Sequence, residues 1–122
     1  MLTKIYIIKP FLQGMPEGEI YTKNFRPGIY KCSGCARRLF SSNAKFDART
    51  EWPSFRRAVD NGVNMRLEYG AKVKTVKALC LGCDKHIGYI FEDGKTCGDT
   101  HPDAGKRYSI FSAALNFEEN RS

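Results

Sequence analysis

The stretch KTVKALCLGCDKHIGYIF, residues 74–91, places a C-x-x-C pair between two runs of strand-forming residues. A second stretch, GIYKCSGC at residues 28–35, carries a matching pair. Two residues between cysteines let both sulfurs turn inward, and four thiolates at about 2.3 Å from a metal form the closed tetrahedron of a structural zinc site. The spacing therefore predicts zinc as a structural cofactor that fastens two hairpins distant in sequence. The four predicted ligands are Cys32, Cys35, Cys80 and Cys83.

Two other interpretations of the cysteine pairs are redox-active dithiols and buried free thiols. Neither pair lies in the βαβ pattern of thioredoxin-like redox proteins, so zinc is favoured. A fifth cysteine, Cys97, makes the count odd, which argues against a closed disulfide framework.

Length and composition indicate a single domain over residues 1–122, in which residues 1–16 form an N-terminal arm. No apolar run approaches the roughly 18 residues that span a bilayer, so we expect no membrane partner. The apolar run IYII near the start is too short for the core of a signal peptide. We therefore expect a cytoplasmic location, and we expect a monomer.

The formal net charge of +7 permits a nucleic-acid partner, but the basic residues are spread along the chain. No basic motif interleaved with aromatic residues is present, as single-strand binding would require. The charge therefore indicates a solvated basic surface and no nucleic-acid partner.

The alternation of apolar residues predicts a mainly β, antiparallel protein with little helix. Strands are predicted at GIYKC, MRLEY, KTVKALC, HIGYIF and RYSIFSAALNF, and a long loop at residues 92–106. One short helix is predicted over SFRRAVDNG, residues 54–62, with Ser54 as N-cap and Gly62 as its end. If RYSIFSAALNF is one strand, every second residue from Arg107 to Phe117 shares a face.

The motifs GIYKCSGC, RRLFSSNAKFD, WPSF, CLGCDKHIGYIF, EDG and RYSIFSAALNF occur in an order that resembles the B-type methionine sulfoxide reductases. The similarity runs from about residue 17 to residue 117. It implies a β-tent-like fold of two antiparallel sheets, with zinc at one end, away from the catalytic centre. It also implies reduction of the R epimer of methionine sulfoxide, free or in proteins, by a thiol mechanism that thioredoxin or a similar dithiol reductant recycles.

Such a reaction needs a thiolate, a proton donor and an apolar pocket for the S-methyl group. By the resemblance, Trp52 of WPSF packs on the substrate methyl group. Arg107 lies two residues before the reactive position, so on a strand it shares that residue's face and would favour a thiolate there.

His86 matches the first histidine of the family's H-x-G-H run, and Tyr89 replaces the second. In a regular strand these two residues would face opposite sides, but a bulge at Gly88 would bring both to one pocket. Tyrosine can donate a hydrogen bond, although a phenol is a poorer proton shuttle than an imidazole near neutral pH.

Ser109 occupies the position of the family's reactive cysteine or selenocysteine, and a hydroxyl is a far weaker nucleophile than a thiolate. Thr50 stands where many members carry a resolving cysteine. Phe111 replaces a common asparagine, but the IFS of residues 110–112 also occurs in the selenoprotein branch, where Phe111 would line the methyl pocket. The chain with Ser109 is therefore expected to be inactive by the family route, or to trap substrate.

Three interpretations of Ser109 remain open: an introduced substitution, a natural paralogue that does not reduce, and a role taken over by Cys97. Cys97 lies in the long loop, where Asp99 and His101 are candidates to activate it as an alternative or resolving thiol. The alternative function is a non-catalytic, zinc-stapled module that binds oxidised methionine or a small apolar ligand.

Overall fold

The computed structural model describes residues 19–120, so the expected arm over residues 1–16 lies outside the described part of the chain. Within residues 19–120 there are nine strands, two 3-10 turns at Ser42–Ala44 and Ser112–Ala114, and no α-helix. No helix in this range could cross a membrane. The strands are β1 Gly28–Cys32, β2 Arg38–Ser41, β3 Lys45–Phe46, β4 Ser54–Phe55, β5 Val63–Tyr69, β6 Lys74–Cys80, β7 His86–Phe91, β8 Arg107–Ile110 and β9 Leu115–Glu119.

The strands form two antiparallel sheets, as the sequence predicted. One has three strands in the order β2-β1-β9, and the other has six in the order β3-β4-β8-β7-β6-β5. The predicted strands GIYKC, KTVKALC and HIGYIF have the same bounds as β1, β6 and β7. Alternation located these strands correctly because each has one face in the core.

Aromatic side chains fill the space between the two sheets. Phe40 of β2 stacks on Phe55 of β4 with ring centroids 4.4 Å apart, and Tyr30 of β1 meets the same Phe55 ring edge-on at 5.1 Å. All three side chains are fully buried. The remaining buried members of this core are Cys32, Leu39, Ala78, Cys80, Ile87, Ile90, Ile110, Ala114 and Leu115.

The helix predicted over residues 54–62 is wrong. Ser54 and Phe55 instead form β4, which pairs with β3 and β8. Burial of Phe55 against the other sheet outweighs the weak local preference for helix. The chain then returns through turns, where Val59 donates its N–H to the Leu39 carbonyl at 2.9 Å and Asn61 adopts a φ of 59°.

The prediction that RYSIFSAALNF forms one strand is also wrong beyond Ile110. A 3-10 turn at Ser112–Ala114 separates β8, in the six-stranded sheet, from β9, in the three-stranded sheet. The alternation therefore loses its phase, and Ala113 is exposed although Leu115 is buried. The turn transfers the chain from one sheet to the other shortly after Ser109.

The long loop at residues 92–106 is anchored by a buried ion pair. The Asp99 carboxylate accepts hydrogen bonds from Arg56 Nε at 3.0 Å and Nη2 at 2.9 Å, and their side chains are 1% and 9% exposed. The hydrogen bonds from Arg56 hold the pKa of Asp99 below its ordinary value. A bidentate pair of this kind fixes the loop on β4.

Replacing Asp99 by asparagine should lower the free energy of unfolding by about 3–5 kcal/mol at neutral pH, because Arg56 would remain buried without its counter-charge. The depressed pKa gives stability that is present above the ordinary aspartate value near 4 and lost as the pH falls through the folded value. The variant should lose this part of the acid dependence, which denaturant titrations between neutral and acid pH would measure.

Asp103→Asn is the matched control, since the Asp103 side chain lies on the same loop and is 75% exposed. It should change stability by less than about 0.5 kcal/mol. Equal stability of Asp99→Asn and the unchanged chain would contradict the anchoring role.

Candidate functional site

The four paired cysteines converge on one point in the structure. Their sulfur atoms all lie within 4.8 Å of one another. Cys32 Sγ lies 3.7 Å from Cys83 Sγ, and Cys35 Sγ lies 3.5 Å from Cys80 Sγ. A metal with four thiolates at about 2.3 Å requires sulfurs about 3.8 Å apart, so the cluster has the dimensions of a tetrahedral metal site.

The two turns that carry the cysteines have matching backbone geometry. Gly34 and Gly82 each donate an N–H to the first sulfur of their own pair at 3.3 Å. Glycine at residue 82 avoids crowding at the cluster, because a Cβ there would lie 3.1 Å from Cys35 Sγ and would displace the end of the Arg37 side chain. The two N–H donors help to orient the first sulfur of each pair.

The bulge predicted at Gly88 is present in β7. Ala78 pairs with Gly88 while the next residue, Leu79, pairs with His86, so Ile87 is the extra residue. His86 and Tyr89 consequently lie on one side, with their rings 4.9 Å apart at 87°. Gly88 cannot carry a side chain because a Cβ would lie 2.1 Å from the Ser109 carbonyl oxygen.

Phe111 is the centre of an aromatic cluster. Its ring meets Trp52 edge-on at 4.9 Å, His86 at 5.3 Å and Tyr89 at 6.1 Å. The backbone holds Phe111 in place because its N–H donates to the Ile87 carbonyl at 2.9 Å. The structure thus brings together the four aromatic residues that the sequence nominated from three separate segments.

Ser109 lies on the sheet face where this cluster begins. It pairs with Tyr89 of β7 on one side and with Ser54 of β4 on the other. Its side chain is buried, at 2% exposure. Its hydroxyl makes no hydrogen bond to any residue in the described range 19–120. A nucleophile at this position would be shielded from water and next to the Tyr89 ring.

The hydrogen-bond partners of the two candidate proton donors differ. His86 Nε2 donates to the Gly88 carbonyl at 2.9 Å, which leaves Nδ1 as the remaining ring nitrogen. The Tyr89 hydroxyl has no hydrogen-bond partner within residues 19–120, so it is available to a ligand.

Arg107 is paired with an acid that the sequence did not nominate. Its guanidinium donates to Asp93 at 2.8 and 3.0 Å and lies 4.3 Å from the centroid of the Phe91 ring. This pairing lowers the pKa of Asp93 and raises that of Arg107. The positive charge that we expected to act on residue 109 is thus largely compensated by Asp93.

Cys97 lies beside this ion pair rather than beside the residues expected to activate it. Its N–H donates to the Asp93 carbonyl at 3.0 Å, and the nearby thiol contributes to the lowered pKa of Asp93 and the raised pKa of Arg107. The Asp99 carboxylate accepts hydrogen bonds from Arg56, and the His101 Nδ1 accepts the Asp103 N–H at 3.0 Å. No hydrogen bond joins the Cys97 thiol to Asp99 or His101 within residues 19–120, and activation of Cys97 by these two residues stays a prediction.

Sequence reasoning missed Asp93 and Glu19. The Asp93-Gly94 pair marks a turn, but nothing in the sequence places its carboxylate against Arg107. Glu19 accepts hydrogen bonds from the Ser112 N–H at 3.3 Å and Oγ at 3.0 Å, and burial raises its pKa. This contact braces the turn that follows Phe111.

Thr50, at the position expected for a resolving cysteine, has a local structural contact. Its Oγ1 donates to the Trp52 carbonyl at 3.1 Å and accepts the Trp52 N–H at 3.3 Å. Thr50 therefore helps to set the turn that presents Trp52.

The family of the chain follows from its full-length match. The model of the SelR domain matches residues 4–119. The chain belongs to the SelR domain family. The similarity inferred from motifs, which covered residues 17–117, is thereby confirmed and extended.

Relatives of this SelR-domain chain include proteins named peptide methionine sulfoxide reductase MsrB. The one from Thiobacillus denitrificans is 40% identical over 98 residues, covering 80% of this chain and 70% of the relative. The one from Methanosarcina barkeri is 35% identical over 102 residues, covering 83% and 67%. Mouse methionine-R-sulfoxide reductase B3, mitochondrial, is 38% identical over 102 residues, which is 83% of this chain and 38% of that protein.

A solved structure shares the fold of the SelR-domain chain at low sequence identity. The crystal structure of the Mis18 'Yippee-like' domain superimposes with a TM-score of 0.59 at 18% identity, covering 80% of this chain and 100% of that one. At this identity the likeness concerns the fold alone.

Loss of one cysteine ligand should remove the bound metal and most of the stability. We choose Cys35→Ser because Cys35 is exposed, so the change leaves packing intact. Binding of a structural metal is folding free energy, of roughly 10 kcal/mol or more in small domains, and the variant should unfold far more readily. Metal content by elemental analysis and thermal melts would measure both effects.

Cys97→Ser is the control, since Cys97 lies outside the cluster. This variant should retain one metal ion per chain. Full metal content in Cys35→Ser would contradict the assignment of this ligand.

Proposed function

We propose that this fold reduces the R epimer of methionine sulfoxide when residue 109 carries sulfur, and that Ser109 makes the present chain inactive or a substrate trap. Membership of the SelR domain family supports the reaction class. The observation that carries the proposal is the position of Ser109, buried opposite Tyr89 and next to the aromatic cluster of Trp52 and Phe111. Such a site suits an apolar S-methyl group and a polar oxygen.

With cysteine at residue 109, the reaction would run in two balanced steps. The thiolate attacks the sulfoxide sulfur, the oxygen passes to the cysteine sulfur as a sulfenic acid, and methionine leaves after proton uptake. Tyr89, whose hydroxyl is available, would donate a hydrogen bond to the sulfoxide oxygen. A second thiol then converts the sulfenic acid to a disulfide and releases water. Serine cannot complete this cycle, because no sulfenic acid forms.

We propose zinc as the metal of the four-cysteine cluster. Four thiolates in a closed tetrahedron are characteristic of structural zinc, which leaves no open coordination position. The ion would contribute no chemical step. Its role would be to hold β1 and β6 at the register that sets the positions of the neighbouring strands.

Ser109→Cys should create R-selective reductase activity. Removal of a nucleophile costs an enzyme up to about a million-fold in kcat, so we expect a gain of roughly 10³-fold or more over the serine chain. Reduction of the two sulfoxide epimers by the variant, with a small dithiol as reductant, would measure both rate and selectivity.

Ser109→Ala is the matched control and should stay at the background of the serine chain. Adding Trp52→Ala to the cysteine variant should lower kcat/KM by roughly 10–200-fold, which is the range for loss of an apolar pocket contact. A cysteine variant without gain would contradict the proposal.

Binding without turnover is the second candidate function, supported by the hydroxyls of Ser109 and Tyr89, which lie beside the aromatic cluster and have no hydrogen-bond partner within residues 19–120. This candidate requires saturable binding of a methionine-sulfoxide peptide by the serine chain without product, and Ser109→Cys distinguishes the two functions because only the reductase gains turnover.

We further propose that Cys97 is the resolving thiol and that thioredoxin or a similar dithiol reductant closes the cycle. The Cys97 N–H donates to the Asp93 carbonyl, and the Asp93 carboxylate pairs with Arg107, which is two residues from position 109 on the same face of β8. In Ser109→Cys, the sulfenic acid at residue 109 would then form a disulfide with Cys97. Adding Cys97→Ser should lower thioredoxin-dependent turnover at least roughly tenfold, in the manner of a lost reaction partner.

The same double variant should keep its turnover with a small dithiol, which reaches the sulfenic acid directly. Intact-mass analysis of Ser109→Cys after one turnover would detect the internal disulfide. Unchanged thioredoxin-dependent turnover in the double variant would exclude Cys97 as the resolving thiol.

A further inference from the structure

The outer edge strand of the six-stranded sheet is long and exposes apolar side chains on one of its faces. This strand is β5, which pairs with β6 on one side, and no strand within residues 19–120 pairs with its other side. Three alternate residues on this strand are exposed, Met65 at 55%, Leu67 at 47% and Tyr69 at 78%. Proteins usually shorten, charge or cover such edges, because the edges pair readily with other strands.

The backbone groups that point away from β6 follow from the hydrogen bonds at both ends of β5. The Gly62 carbonyl accepts the Leu81 N–H at 2.9 Å, and the Gly70 N–H donates to the Val73 carbonyl at 2.8 Å. The N–H and C=O groups of the even-numbered residues of β5 therefore point toward β6. By alternation, those of the odd-numbered residues point outward.

One of these outward groups has a local partner. The Met65 N–H donates to the Asn64 side chain at 2.9 Å. This contact places the Met65 amide on the outer edge, and an incoming strand would replace the Asn64 oxygen.

We propose that β5 pairs antiparallel with β5 of a second copy of this chain, with Leu67 at the twofold axis. Leu67 then lies opposite Leu67 of the partner subunit as a hydrogen-bonded pair, and Met65 lies opposite Tyr69 of the partner subunit. Arg66 lies opposite Glu68 of the partner subunit, and by symmetry Glu68 lies opposite Arg66 of the partner subunit. All of these cross-strand pairs are of favourable type.

Charge selects this register over its neighbours. A shift that puts Arg66 on the axis would place two arginines opposite each other, and one that puts Glu68 there would oppose two glutamates. Only the register centred on Leu67 pairs each arginine with a glutamate. These are non-hydrogen-bonded positions, where side chains of adjacent strands lie closest.

The surroundings of Glu68 fit this arrangement. Lys77 of β6 contacts Glu68 at 3.1 Å from the inner side of the edge. Arg66 of the partner subunit would approach the same carboxylate from the outer side. Lys77 pairs with Tyr89, so Arg66 and Glu68 share the face of the sheet that carries Ser109. A twofold axis perpendicular to the sheet would place both sites on one side of a continuous sheet. The proposed dimer differs from the monomer expected from the sequence.

Sedimentation analysis of the full chain over a dilution series tests the proposal. The unchanged chain should reach twice its 13.8 kDa mass as concentration rises. Arg66→Glu should weaken the dimer roughly tenfold or more, because it opposes like charges at two symmetric positions. The exchange Arg66→Glu with Glu68→Arg should restore the affinity, since the pairs are reversed but still complementary.

Lys72→Glu is the control, because it makes the same charge change in the exposed turn after β5 and should leave the affinity unchanged. A crosslink gives a second readout: Leu67→Cys, combined with Cys97→Ser, should form a disulfide dimer, since hydrogen-bonded pairs have Cα atoms about 5.5 Å apart. Val73→Cys in the same background should not form this dimer.

Three outcomes would overturn the proposal. The first is an exchange variant no tighter than Arg66→Glu. The second is dimerisation that appears only after deletion of residues 1–18, which would assign the edge to the chain's own N-terminal segment. The third is a single-chain mass throughout, with and without that segment, which would leave the edge to an unrelated partner.

Discussion

The convergence of four cysteine sulfurs is the constraint on which the other parts of the structure depend. Cys32 ends β1 in the three-stranded sheet and Cys80 ends β6 in the six-stranded sheet, while Cys35 and Cys83 lie in the turns that follow these strands. A metal held by all four joins two sheets whose cysteine-bearing turns lie far apart in sequence. Because the binding free energy of a structural metal is folding free energy, this junction would matter for the fold as well as for the site.

The site is assembled where regular strand structure is interrupted. The extra residue in β7 turns His86 toward Tyr89, and the 3-10 turn after β8 directs Phe111 into the same cluster. Both irregularities have specific causes, the missing side chain of Gly88 and the brace of Glu19 on Ser112. Such departures from regular pairing commonly lie beside functional sites.

The distribution of charge separates two parts of this surface. Around Ser109 the neighbours are aromatic rings and hydroxyls, and the nearby Arg107 is compensated by Asp93. Cys97 lies at that ion pair, in a polar environment that suits a thiol exchanging with other thiols. In the proposed reaction, a sulfur at residue 109 would attack the substrate in the apolar site. The resulting sulfenic acid would then react with Cys97 on the polar side of this surface. This division explains why replacement of one atom at residue 109 should stop the reaction without disturbing the fold.

The sequence by itself determined the fold class, the four candidate metal ligands and the identity of the aromatic residues around Ser109. The fold class and the metal ligands depend on local spacing and on alternation, which a single strand or turn imposes on its own residues, whereas the aromatic residues were nominated by the resemblance of their motifs to a known family. The one-strand interpretation of residues 107–117 failed because the change of sheet after Ile110 depends on contacts with distant residues. The partnership of Arg107 with Asp93 likewise exists only once the loop has folded back on β8. Tertiary structure alone decided which charges neutralise each other and which strand edge is left open, because both depend on packing between segments that no local pattern encodes.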